Sequence, residues 1–124
     1  MNKFLLVCLL ISIGLPSIAQ KKSINEKATA KTEEMQKVLQ LSKEQQTKLY
    51  EIHVKAYTSI AEYDAKKPSK KLKKKQKDIV QKLRDDQYKK ILTTAQYKKY
   101  KDYKKLEKEE EKRKSKELEK ELSK

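Results

Sequence analysis

His53 is the single histidine among 124 residues, so it is the first place to look for acid–base or metal chemistry. It falls inside an apolar arc of helical spacing across residues 49–63, which reads as a packed or interface histidine before a ligand. Beyond the first 19 residues, Met35 is the only other soft donor. A zinc or soft-metal site needs several such ligands at defined spacing, so metal binding would require a dimer that joins two His53 side chains. Asp85 and Asp86 are adjacent. On a helix they point apart and make a poor acid pair. No nucleophile–base pair, phosphate loop, HExxH or EF-hand loop is present. The expectation is a protein without catalytic residues, metal or cofactor.

Lysine is the dominant chemistry. Lys and Arg total 33 against 18 Asp and Glu, a net charge of +15. Eight lysines lie between residues 66 and 77. This run is either a solvated, self-repelling tip or a patch for anions, with Lys70, Lys71, Lys73 and Lys74 at its centre. Such a charge favours acidic partners: an anionic protein, a lipid head group or nucleic acid.

The start, MNKFLLVCLLISIGLPSIAQ, has the form of a secretory signal peptide. Lys3 gives a positive n-region, residues 4–15 an apolar stretch too short to span a bilayer, and Ser17 and Ala19 the small residues before a cut. Cleavage is expected before Gln20, giving 1–19 as signal peptide and a periplasmic location. Cys8, inside the apolar stretch behind the bulky Val7, makes a poor lipoprotein site. Lys3 is the only charged residue removed, which leaves 32 basic and 18 acidic residues and a net of +14. Export makes nucleic acid the least accessible partner; contact with an anionic membrane surface remains open. The mature chain has no cysteine, so packing or a partner must hold it.

Leu, Ile and Val number 17 after residue 19, and Phe is absent. That composition borders on disorder. With no Gly beyond residue 19 and only Pro68, tight hairpins between strands lack their usual residues, whereas Lys, Glu, Gln, Leu and Ala favour helix. Four helices are expected. The first starts at a capping box, Ser23-Ile24-Asn25-Glu26, and ends at Gln40. The second covers about 43–65. Its stripes Leu49, Ile52, Ala56, Ile60, Tyr63 and Tyr50, Val54, Tyr57, Ala61 fuse into an arc of roughly 200°. So wide an arc predicts one apolar contact within the chain and another with something else. A third helix follows Pro68 and Ser69 and carries Leu72, Ile79, Val80, Leu83 and Ile91. The fourth starts at Thr94 with Tyr97, Tyr100, Tyr103 and Leu106, then runs into a charged extension, residues 107–124, that is expected to fray.

The pattern LSKEQ at 41–45 returns as LTTAQ at 92–96. Each is a capping box: Ser42 with Gln45, and Thr93 with Gln96. Leu92 can staple against Tyr97, whereas Leu41 meets only Gln46. Loss of either hydroxyl is expected to cost about 0.5–2 kcal/mol, and loss of either glutamine less. On these motifs, and on MQKVLQLSKEQQTKLYEIH and LRDDQYKKILTTAQYKKYKDY, the chain resembles the LTxxQ-motif (Spy/CpxP-like) periplasmic proteins over about residues 35–106. Ser42 stands where that pattern prefers Thr.

The resemblance implies an all-α fold: a long antiparallel helical hairpin, shorter bent flanking helices and an elongated cradle-like homodimer. It implies a helical domain over 20–106 and a role in envelope stress. Relatives of this kind hold unfolded clients without ATP, damp a sensor kinase, or respond to metal ions. Client-binding residues expected from the apolar arc and the lysine run are Ile52, Tyr57, Ile60, Lys70, Lys71, Lys73 and Lys74. The competing expectation is an anion-surface binder for lipid head groups, polysaccharide or nucleic acid.

Overall fold

The computed structural model describes residues 18–124. The signal-peptide reading, with Cys8, therefore lies outside the described residues except for Ile18 and Ala19. The described chain is all-helical: α1 (Ile18–Leu39), α2 (Lys43–Asp64), α3 (Lys70–Ile91) and α4 (Thr94–Leu122). No described helix is long and apolar enough to cross a membrane.

The helix starts follow the hydroxyl residues. Ser42, Ser69 and Thr93 are the N-caps of α2, α3 and α4, each accepting from the backbone N–H three residues on. Ser23 is different. It lies inside α1, so the expected capping box there is absent. Ala19, Gln20, Lys21 and Lys22 are good helix formers with no breaker among them, and the helix simply runs through them. The flanking helices are also not shorter than the central pair. α1 matches α2 and α3 at 22 residues, and α4 reaches 29, because no Gly or Pro interrupts it before Leu122.

α2 is central. α1 covers one side of its apolar arc and α3 the other. Two neighbours within the chain thus share the arc, where one was expected. Gln45, near the start of α2, reaches the carbonyl of Ile91 at the end of α3. His53 meets Tyr88, and Ser59 shares a groove with Val80. The two helices therefore run in opposite directions. α4 leans on α1, where Tyr103 donates to Glu34, and meets α3 through Tyr100, which packs on Tyr88 and donates to Asp85. From Lys108 onward every residue of α4 is exposed.

The core sits where the helices bend. Met35, Leu39, Leu41, Leu49, Ile52, Tyr88, Leu92 and Tyr100 form one buried cluster. Tyrosine does the work that Phe and Trp, absent from the described residues, would otherwise do. Tyr88 packs edge-on against both His53 and Tyr100, at 5.7 and 5.1 Å between ring centroids. Each buried hydroxyl has a partner, as an aromatic with a polar tip requires.

Candidate functional site

The two repeated motifs form one structure. Gln45 Oε1 accepts from its own cap nitrogen, Ser42 N, at 3.0 Å, and Gln96 Oε1 accepts from Thr93 N at 3.0 Å. Gln45 Nε2 donates to Gln96 Oε1 at 2.7 Å, and Gln96 Nε2 donates back to Gln45 Oε1 at 3.1 Å. The remaining amide hydrogens go to Ile91 O at 3.2 Å and Leu39 O at 3.4 Å. Each amide thus uses two acceptor and two donor positions, its full capacity. The orientation of both amides follows, since an oxygen must face each cap N–H and a nitrogen each carbonyl. Leu41 and Leu92 are buried beside this clasp. Tyr97 packs against the cluster that holds Leu92, while Gln46 instead donates to Leu41 O at 3.2 Å.

Each glutamine therefore makes more bonds than the expected ranking, hydroxyl before glutamine, allowed for. The hydroxyls serve one helix start each. The glutamines also join the α1–α2 bend to the α3–α4 bend. That role was invisible in the local motif, because a capping box accounts for only one bond of each amide.

His53 is fully buried, and both ring nitrogens are engaged: Nδ1 with Thr32 Oγ1 at 2.9 Å, Nε2 with Tyr88 Oη at 2.7 Å. Thr32 gives its own proton to Ala28 O at 2.8 Å. It must then accept from His53 Nδ1–H, which leaves Nε2 to accept from Tyr88. Burial, with Arg84 and Lys31 nearby, lowers the imidazole pKa to about 4. Burial also pushes the Tyr88 hydroxyl well above its ordinary range. His53 is a neutral tie between three helices. Pairing two His53 rings around a metal across a dimer would require the core to open. Among the described residues, no three His, Cys, Asp or Glu side chains cluster as a metal site. Asp85 is likewise structural, accepting from Tyr100 Oη at 2.7 Å and Gln81 Nε2 at 2.9 Å.

The expected client-binding residues separate. Ile52 is buried in the core, 9% exposed, on the side of α2 that meets Val80 and Arg84 of α3. Tyr57 and Ile60 are half-buried where α1 covers α2, and the Arg84 guanidinium lies 5.4 Å from the Tyr57 ring centre. Lys70, Lys71 and Lys74 are exposed at the start of α3 and Lys73 is half-buried. Among the described residues, none of the eight lysines in 66–77 has an ion-pair partner.

The accessible apolar surface is elsewhere. Leu72, Ile79 and Leu83 of α3 are 48, 47 and 58% exposed. At 100° per residue they share one line, about 110° around the helix from Val80, Tyr88 and Ile91. Exposed Lys71, Lys75 and Lys82 border that line. These aliphatics were expected on α3 without separation into two lines; plotting their helical angles would have shown both. No protein-family model, curated protein or solved structure matches this chain.

Proposed function

We propose that this protein is an exported, ATP-independent chaperone-like or envelope-stress adaptor protein. It holds unfolded, acidic clients on a basic, partly apolar helical surface. The observation that carries the reading is the line Leu72, Ile79 and Leu83, left in water by a chain with few aliphatics to spare. An exposed apolar line bordered by lysines suits a partner that brings both carboxylates and apolar side chains. The resemblance to LTxxQ-motif proteins supports the same reading and adds a sensor kinase as a regulatory partner. In this reading the α2–α3 pair is the hairpin scaffold of an elongated, cradle-like homodimer. Sedimentation at micromolar concentration tests the dimer, and a well-folded monomer there removes it.

The functional test is suppression of aggregation of an unfolding acidic protein, without ATP, across a salt series. Apolar holding persists at high salt while capture slows. The eight unpaired lysines of 66–77 favour a second reading, a binder of anionic surfaces. That reading is the right one if the protein never delays aggregation but binds anionic vesicles or polyanions with a steep salt dependence.

A further inference from the structure

α1 is seated unevenly on α2. Its second half is fixed by Met35, Val38 and Leu39 in the core cluster and by the Thr32–His53 hydrogen bond. Within residues 19–28, only Ile24 and Ala28 are apolar side chains turned away from solvent. Two cavities flank Ile24. One, of about 290 Å³, lies between Ile24 and Asn25 of α1 and Val54, Thr58 and Ala61 of α2. The other, of about 420 Å³, lies between Ser23 and Ile24 and the residues Tyr57, Ile60 and Ala61. Both are grooves open to solvent, so the side chains that line them stay partly wet and gain less from burial. Segments with few buried apolar contacts open at lower free energy than the core. Residues 19–28 are therefore held over α2 by fewer buried apolar side chains than residues 32–39.

What lies beneath them is apolar: Val54, Tyr57, Ile60 and Ala61, all half-buried. The rims are charged. Lys21 and Glu62 line the first cavity, Lys27 and Asp64 the second. Ala65, where α2 ends and the lysine-rich turn begins, also lines the second cavity. The lysines of 66–77 and this half of α1 thus share one end of the molecule.

We propose that residues 19–28 are a releasable cover over the strip Val54, Tyr57, Ile60 and Ala61, and that acidic clients release it. This rests on the client-binding reading above and adds a second, covered apolar surface to the exposed α3 line. An acidic segment drawn to the basic end pairs with Lys21 and Lys27, which form no ion pair among the described residues. As the half-helix lifts, the strip that Ile24 occupied accepts an apolar side chain of the client.

The test compares three full-length proteins: the native chain, Ile24→Ser, and the cavity-filling pair Ser23→Leu/Asn25→Leu. Hydrogen exchange reads the cover. Stopped-flow binding to reduced, carboxymethylated lactalbumin reads the client. In Ile24→Ser the amides of 19–28 and 54–61 exchange about tenfold faster, those of 32–39 are unchanged, and the client dissociates more slowly. The filled variant moves both readouts the opposite way, which keeps the test decisive if Ile24→Ser fails to fold. Unchanged exchange at 54–61 overturns the cover. Altered exchange with one client off-rate in all three proteins overturns its gating role. If none of the three binds the client, the chaperone reading itself falls, and the exchange data separate that failure from failure of the cover.

Discussion

Gln45 and Gln96, 51 residues apart, exchange two amide hydrogen bonds, each nitrogen donating to the other's oxygen. Each glutamine also closes the capping box of its own helix. One residue type at one spacing thus starts two helices and ties the two starts together.

Gln45→Ala or Gln96→Ala is accordingly expected to destabilise by about 2 kcal/mol, because several part-buried hydrogen bonds go and the partner amide loses its mates. Ser42→Ala and Thr93→Ala should cost about 1 kcal/mol each. The double variant Gln45→Ala/Gln96→Ala should fall short of the summed singles by about 1 kcal/mol, as coupled groups do. Urea midpoints for the four singles and the double check this. Strict additivity would show that the two amides do not act together.

The two bends are not identical. Between Leu39 and Leu41 the chain inserts Gln40 at φ 53°, while Ile91 leads directly to Leu92 at φ −78°. A second residue, Lys67, sits at φ 51° in the turn after α2. The left-handed region costs an ordinary residue about 1–2 kcal/mol, part of which Gly returns as extra entropy loss. Gln40→Gly and Lys67→Gly are therefore each expected to stabilise by about 0.5–1 kcal/mol. Raised urea midpoints with unchanged m-values would bear this out, and lowered ones would exclude strain at these sites.

Much of the helical layout was legible because it rests on local chemistry. Ser42, Ser69 and Thr93 mark helix starts through one side-chain bond each, and Pro68 marks the turn. Ser23 misled, since a capping pattern stops a helix only where the preceding residues favour a break. The surface was legible only in part. Lys70, Lys71 and Lys74 are exposed as any dense lysine run must be. Ile52 was misassigned because a wide arc on α2 does not say which neighbour covers it. That neighbour is decided by contacts 28 or more residues away, from Val80 and Tyr88 on one side and from Ile24 on the other. The glutamine clasp and the Thr32–His53–Tyr88 chain are likewise tertiary, with no local signature.

His53 should make stability depend on pH in one window. Its folded pKa is about 4 against 6.5 unfolded. Between those values the unfolded chain binds more protons. The stabilisation is therefore fully present above about pH 6.5 and is lost as pH falls toward 4. The full span is worth about 3 kcal/mol. His53→Asn should be less stable at pH 7.5, through lost packing and bonds, yet show a flatter profile from pH 7 to 4. Urea titrations of both proteins at half-unit pH steps measure it. Parallel profiles would assign the acid sensitivity to other groups.

The last expectation separates core from contact surface. Ile52 lies in the buried cluster beside Leu49 and Tyr88, so Ile52→Ser should destabilise by about 3 kcal/mol or more, through a cavity and a poorly matched hydroxyl. Ile79→Ser and Leu83→Ser remove side chains that are 47 and 58% exposed, and stability should change by no more than about 0.5 kcal/mol. Their effect belongs to binding. If the α3 line holds clients, each substitution speeds client release while leaving capture to the lysines. Neutral substitutions at Lys70, Lys71, Lys73 and Lys74 should instead slow capture, and added salt should mimic them. Helicity by circular dichroism confirms that each variant folds, and stopped-flow rates then divide the two roles. Release rates unchanged in both Ile79→Ser and Leu83→Ser would remove the α3 line from client binding, whatever the lysines do.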